Sequence, residues 1–420
     1  MKTDILIIGG GLTGILCAWF LDQLGADYLL IEAKTIGSGT TGNTTGKITS
    51  QHGLIYGRLL KQFGQERARL YWQANEAAIR QYRALAEKIP CDFQEKPNYV
   101  YACSDLRALE TEWDALQKLN IPGSFRRETE LPFSVAGAIR FSGQGQFHPG
   151  KLLAGLAPGL KIYAHTRALG WEDGEVVTDG SRIRARRIIT ATHFPIWNKH
   201  GAYFLKLYQQ RSYLLALESG MPLEGMYLSQ EKNGLTLRTA GDYLLLGGGS
   251  HRTGKKGGGW TVPEQAAVQY FPQGKIRYRW AAQDCMSLDG IPYIGPYSRR
   301  TPQLYVATGF NKWGMTSAMI SAMLLTDLLQ GKDNPYAAVF APDRGILRPQ
   351  LAVNAAESTR NLLSLRTPRC PHLGCALKWN PAEHSWDCPC HGSRFDEKGK
   401  LLDNPANGDL PTGSDTRPPA

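Results

Sequence analysis

Residues 4–33 read DILIIGGGLTGILCAWFLDQLGADYLLIEA. A short apolar run, a glycine turn, an amphipathic stretch of helical length and a second apolar run ending in an acid predict strand, turn, helix, strand. Gly9, Gly11 and Gly14 stand in G-x-G-x-x-G spacing. The first glycine allows the tight turn, the second lets a pyrophosphate approach the backbone, and the third lets the helix lie against the strand. The phosphates then sit on the helix N-terminus, at Leu12 and Thr13, where free N–H groups and the helix dipole favour an anion. Glu32 closes the second strand, 18 residues after Gly14, where a carboxylate takes the ribose hydroxyls of an adenosine. Cys17, inside the helix, reads as a small buried hydrophobe. The motif alone leaves FAD and NAD both open.

Two later stretches separate them. GSGTTGNTTGKITSQHGLIY, residues 37–56, is a hydroxyl-rich loop carrying Thr40, Thr44 and Thr45. It resembles the flavin-side loop of the D-amino-acid-oxidase-like family of FAD enzymes, the glycine oxidase and sarcosine oxidase group. Residues 288–335, LDGIPYIGPYSRRTPQLYVATGFNKWGMTSAMISAMLLTDLLQGKDNP, are similar to that family's closing FAD segment. There a strand at 304–307 meets a turn from Gly309 to Gly314, and a helix beginning near Met315 points its N-terminus at the flavin. The resemblance spans about residues 3–345 and implies FAD as cofactor.

It also implies a fold class: α/β, α+β overall, with a Rossmann-like FAD-binding domain interleaved with an antiparallel-sheet substrate domain, plus a small all-β C-terminal module. The expected FAD-binding segments are 1–89, 136–198 and 280–345, and the substrate-domain segments are 90–135 and 199–279. Within these, a helix is expected over 57–88. Another is expected over 105–119 with Ser104 as its cap. Strands are expected at 137–141, 161–164, 175–178 and 187–191. Strand-like runs between 203 and 250 suggest an antiparallel sheet roofing the flavin. At the return to the FAD domain, His193 follows Ala-Thr where the family usually has glycine.

Four of the eight cysteines and three of the nine histidines fall in residues 370–395. The spacing is Cys370-x-His372, 15 residues, then Cys388-x-x-His391. Two mixed Cys/His loops match a Rieske [2Fe–2S] centre, with Cys370 and Cys388 on one iron and His372 and His391 on the other. A structural zinc site uses the same residue types, but its usual pairs are C-x₂₋₄-C and H-x₃₋₅-H. A metal-free remnant is the remaining alternative. The stretch resembles the Rieske subgroup with CxHLGC and CPCHGS loops, which implies a disulfide between Cys375 and Cys390. It also implies that Ser393 donates to a cluster sulfur and that Asn404–Ala406 forms the loop covering the cluster. Phe395 stands where high-potential members carry tyrosine, which implies a lower potential. His384 reads as a solvated turn residue. The module is expected over 360–412, with NLLSL (361–365) as its one strand before the first ligand loop, an incomplete sheet, and a disordered tail at 413–420.

The net charge of +11 suits an anionic cofactor, but basic residues are spread along the chain and do not predict nucleic-acid binding. The Gly-rich run 247–260 reads as a mobile, solvated surface loop, or as a lid over substrate. Residues 315–329 are too few and too polar to span a bilayer, no secretory leader is read, and a cytoplasmic location is expected. The combined reading is an FAD-dependent dehydrogenase. It takes a hydride from a small amine or amino acid and passes electrons singly through the cluster to an external acceptor. Arg211, Arg252, Lys47 and Lys312 are the candidate cations for a substrate carboxylate; no catalytic acid or base is named. The alternatives are a flavoprotein redox sensor or scaffold, and an FAD oxidase with a structural zinc module.

Overall fold

A computed structural model describes residues 1–197, 200–364, 368–414 and 416. The strand Lys2–Ile8, the helix Leu12–Gln23 and the strand Tyr28–Ile31 form as the glycine pattern predicts, with the two strands in parallel register. Arg182–Thr190 pairs in parallel on the other side of Lys2–Ile8, and Leu304–Thr308 follows in parallel. Successive side chains of a strand point to opposite faces. Ile5 and Ile7 therefore enter one core, with the helices Leu12–Gln23 and Gly314–Leu329, while Leu6 and Ile8 enter a second with Phe194, Tyr203 and Tyr297. Cys17 is fully buried, and burial pushes its thiol up to about 12.

The second sheet has eight strands, ordered 275–287, 207–218, 243–252, 236–240, 226–229, 98–102, 137–141 and 124–126. It is antiparallel except that Met226–Ser229 runs parallel to Asn98–Ala102. Gly137–Phe141 pairs with strands on both sides within this sheet, and Lys275–Ser287 runs continuously through residue 280. The boundaries expected at 135/136 and 279/280 therefore divide strands that one hydrogen-bonded sheet holds together.

The long helix, Tyr56–Ala86, contains a break at Gly64, whose φ is 80°. Ser104 does not cap the next helix, Arg107–Leu119. The N-cap is Leu106, which offers no side-chain cap, and the Asp105 carboxylate before it accepts the Arg107 N–H at 3.0 Å. At the other end, the helix Pro349–Leu362 enters the NLLSL segment, so the expected strand is absent from 361–364, and Leu365 lies outside the described residues. Proline at the first helical position and alanine-rich sequence behind it favour helix there.

The C-terminal module is a four-stranded antiparallel sheet of three-residue strands: Lys378–Asn380, Ser385–Asp387, Arg394–Asp396 and Leu401–Asp403. Among the described residues, only a single bridge, Arg369 to Ala376, flanks the first ligand loop. His384 sits in a turn at φ 50° with an exposed side chain. In the expected disordered tail, the Thr416 carbonyl accepts from the Trp386 indole at 3.0 Å; residues 415 and 417–420 lie outside the described residues. No described helix is long and apolar enough to cross a membrane.

Run 247–260 is solvated only at Lys256–Gly258. Its first half completes the strand Tyr243–Arg252, and Gly254 and Gly259 lie against the C-terminal module. A Cβ at Gly254 would lie 2.5 Å from the Pro389 nitrogen, and Lys255 pairs with Glu357 of the linking helix.

Candidate active site and metal centre

A cavity of about 240 Å³ runs from the glycine turn to the N-terminus of the helix Gly314–Leu329. Gly9, Gly11, Leu12, Thr13, Glu32, Thr40, Thr44, Gly314 and Met315 line it, so the two distant motifs meet in one groove. Gly14 and Gly309 have a packing role instead. A Cβ on Gly14 would stand 1.9 Å from the Gly9 carbonyl oxygen, and one on Gly309 would meet Leu207 at 3.1 Å. Glu32 accepts the N–H groups of Gly10 (2.6 Å) and Lys34 (2.8 Å), which fixes its carboxylate at the groove's edge. A Cβ on Gly11 meets only Thr41 Oγ1, at 3.3 Å, so the space over the helix N-terminus is open to a pyrophosphate. The residues present fit FAD.

A second cavity, about 160 Å³, adjoins the first and shares Thr40, Thr44, Asp284, Lys312, Gly314 and Met315 with it. Thr45 and Lys47 line only this one. Lys47 donates to the Tyr227 carbonyl at 2.9 Å and to Thr236. Burial, reinforced by the Arg238 charge, pushes its ammonium down to about 7. Lys312 donates to Ser250 (2.8 Å) and Ser212 (3.2 Å), and burial lowers its pKa against the pull of Asp284. Burial raises the Asp284 carboxyl, with the Lys312 charge opposing it.

The other two candidate cations are elsewhere. Arg211 grips Glu383 of the C-terminal module, with Nε to Oε1 at 3.0 Å. Arg252 donates to the carbonyls of Pro389 (3.0 Å) and Cys390 (3.1 Å) and to Asn354 (2.9 Å). Neither lines either cavity. Both guanidiniums are held at the module interface and are spent on docking, not on substrate.

In the module, each ligand loop closes on itself. The Gly374 N–H donates to the Cys370 carbonyl, and the Gly392 N–H to that of Cys388, both at 2.9 Å. The His372 and His391 rings lie 4.9 Å apart between centroids, nearly perpendicular. Burial pushes their pKa values down to about 3 and about 4, leaving neutral imidazoles, the form that ligates metal. The Cys388 thiol is lowered, first by its hydrogen bond with Cys370 and then by N–H groups of His391, Cys390 and Gly392, which outweigh burial. Such donors favour thiolate. Cys375 and Cys390 form a disulfide joining the two loops. The Ser393 oxygen accepts the Ala406 N–H at 3.0 Å and hydrogen-bonds Cys370. The donor set fits a [2Fe–2S] cluster.

Several residues at this site carry no motif. Arg394 is buried and pairs with Asp387 (2.9 Å), Glu383 (2.9 Å) and Asp403 (3.1 Å). His193, at φ 66°, lines the FAD cavity. Its Nε2 lies 3.1 Å from Gln209 Oε1, and Gln209 Nε2 donates to the carbonyls of His391 (2.9 Å) and Asn404 (3.0 Å). Since Gln209 spends its N–H groups on carbonyls, His193 carries its proton on Nε2. Gln283, another cavity residue, donates to the Gly392 carbonyl at 2.9 Å. The departure from glycine at 193 was the only sequence signal for this bridge.

Comparison with known proteins agrees with both halves. Residues 4–328 match the family described as FAD dependent oxidoreductase, and residues 350–413 match the Rieske [2Fe-2S] domain. The chain is 36% identical to a putative Rieske 2Fe-2S iron-sulfur protein of Bacillus subtilis, over 96% of this chain and 92% of that one. It is 24% identical to the gamma-glutamylputrescine oxidoreductase of Escherichia coli, over 80% and 85% of the two chains. The fold resembles glycine oxidase from Geobacillus kaustophilus, with a TM-score of 0.69 and 22% identity over 82% of this chain and 99% of that one. The chain thus belongs to the family of FAD-dependent oxidoreductases, and carries a Rieske [2Fe–2S] domain at its C-terminus.

Proposed function

We propose that this enzyme is a dehydrogenase for a small amine or amino acid, with the Rieske domain as its electron outlet to an external one-electron acceptor, acting in the cytoplasm. When bound, FAD supplies hydride acceptance from a C–H next to nitrogen, and the cluster supplies one-electron transfer. The observation that carries the reading is the shared wall between the two sites. His193 lines the FAD cavity and reaches the His391 carbonyl through one side chain, Gln209. Phe194, the next residue, packs its ring 6.1 Å from His372 and 6.0 Å from His391.

The chain's own side chains divide the remaining work. Lys47 and Lys312 give the second cavity two cations to orient a carboxylate, and Asp284 stands where a substrate amine could be held. Thr40 closes the junction of the cavities by donating to the Gln283 carbonyl at 3.2 Å. His391 is 2% exposed and its Nε2 donates to the Phe204 carbonyl at 3.0 Å, so this ligand faces the FAD-binding unit and not solvent.

The test compares wild type with Cys370→Ser. Both should show flavin reduction by substrate without oxygen, but only wild type should rapidly reduce an artificial one-electron acceptor. Equal acceptor reduction by both proteins would make the Rieske domain a bystander.

A further inference from the structure

The FAD groove is not closed by residues 4–328 alone. Leu401, Leu402, Asp403, Asn404 and Asn407, all from the Rieske domain, line the same cavity as the glycine turn. They are tied down along its length. At the Glu32 end, Lys34 Nζ donates to the Leu402 carbonyl at 3.0 Å, and Asn407 donates to the carbonyls of Ala168 (2.7 Å) and Leu169 (3.0 Å). Nearer His193, Asn404 donates to the carbonyls of Thr192 and Phe194, and its own carbonyl accepts from Gln209.

The same segment is rooted in the cluster-binding core. Ala406 donates to Ser393, whose hydroxyl hydrogen-bonds Cys370, and Asp403 pairs with the buried Arg394. A wall anchored at both ends cannot move away from the groove without disturbing one of them.

We infer that residues 401–407 are part of the FAD-binding site, so that FAD affinity and docking of the Rieske domain are thermodynamically coupled. A ligand that touches the docked wall and not the undocked one stabilises docking, and docking must raise affinity for that ligand by the same factor. The inference concerns binding alone and stands whether or not electrons pass between the centres.

Full-length protein freed of FAD is titrated anaerobically with FAD, and binding is read from flavin fluorescence. Asn404→Ala/Asn407→Ala should bind FAD at least about tenfold more weakly, a loss of about 1.4 kcal/mol, with iron content unchanged. Arg211→Met, which loosens docking from outside both cavities, should weaken binding in the same direction. The reciprocal arm needs no mutation: saturating FAD should raise the temperature at which wild-type protein loses its Rieske absorbance. FAD affinity within twofold of wild type in iron-replete variants would overturn the inference. So would a cluster melting temperature indifferent to FAD.

Discussion

The two ligand-holding regions of this chain draw on different reaches of sequence. At the glycine turn, Gly10 and Glu32 hold each other across 22 positions, and helix, turn and strands all come from one short segment. In the Rieske domain, Arg211 reaches Glu383 across 172 positions, and Phe204 receives the His391 imidazole N–H across 187. Four strands of three residues bury few apolar side chains, and a small unit of this kind lacks the core to hold itself. The larger unit supplies what is missing, as arginines, glutamines and the turn at Gly254, which lies against Cys388 and Pro389. The glycine turn, complete within its own segment, should fail locally when damaged; the borrowed cluster site should fail at its interface.

The largest effect expected is at the turn itself. Gly14→Ala puts a methyl 1.9 Å from the Gly9 carbonyl oxygen and should abolish folding of the FAD-binding unit. Gly11→Ala should leave a folded protein without FAD, because its methyl points into the groove. Circular dichroism and flavin absorbance read the two outcomes; stoichiometric FAD in a folded Gly11→Ala protein would break the assignment of the groove.

Next comes the borrowed site. Arg394→Met leaves the buried Asp387 without its cation and Glu383 and Asp403 with Arg211 alone, which should cost the module about 3–5 kcal/mol. Rieske absorbance should vanish at lower denaturant concentration, well before the larger unit loses secondary structure.

A smaller effect separates the regions by pH. Asp403 and Glu383 are held below the ordinary carboxylate range, chiefly by Arg394 acting against burial. A carboxyl depressed in the folded state lends stability above its unfolded pKa and loses it as pH falls through the folded value. Acid should therefore destabilise the module. Glu112, which accepts the N–H groups of Tyr56 and Gly57 at the start of the long helix, has the opposite sign. Burial pushes its carboxyl up to about 7, so its contribution is present at low pH and lost as pH rises through about 7. Thermal melts should show cluster loss advancing at acid pH, and Glu112→Gln should flatten the larger unit's loss of stability as pH rises toward about 7.

The smallest effect concerns substrate. If Lys47 orients a carboxylate, KM should rise as pH passes above about 7 and the ammonium loses its charge. Lys47→Met should raise KM about tenfold and remove that pH dependence. An unchanged profile would place the carboxylate elsewhere, with Lys312 the remaining cation of the cavity.

This comparison also explains what was legible in the sequence. The strand, glycine turn, helix and second strand could be read because Gly9 and Gly14 answer backbone requirements met within one strand-helix-strand unit. The mixed Cys/His loops could be read because ligand type and spacing are chemical constraints. Arg211 and Arg252 could not be placed, since an isolated arginine carries no sign of a partner more than a hundred residues away. NLLSL misled because a short apolar run fits a strand or a helix end equally well. Gly137–Phe141 forms the expected strand but falls in the expected FAD-binding segment 136–198 while pairing with Asn98–Ala102 and Ser124–Arg126, as pairing depends on register with distant strands. His193 was noticed as a departure from glycine, but its partner Gln209 belongs to no motif.

The central claim is that the docked interface carries electrons from one site to the other. Its most direct test is flash photoreduction of the flavin in anaerobic full-length protein, followed at the flavin and Rieske absorbance bands. The account predicts that the cluster becomes reduced as the flavin is reoxidised, at a rate independent of protein concentration. A cluster that stays oxidised, or one reduced at a rate proportional to protein concentration, would contradict it.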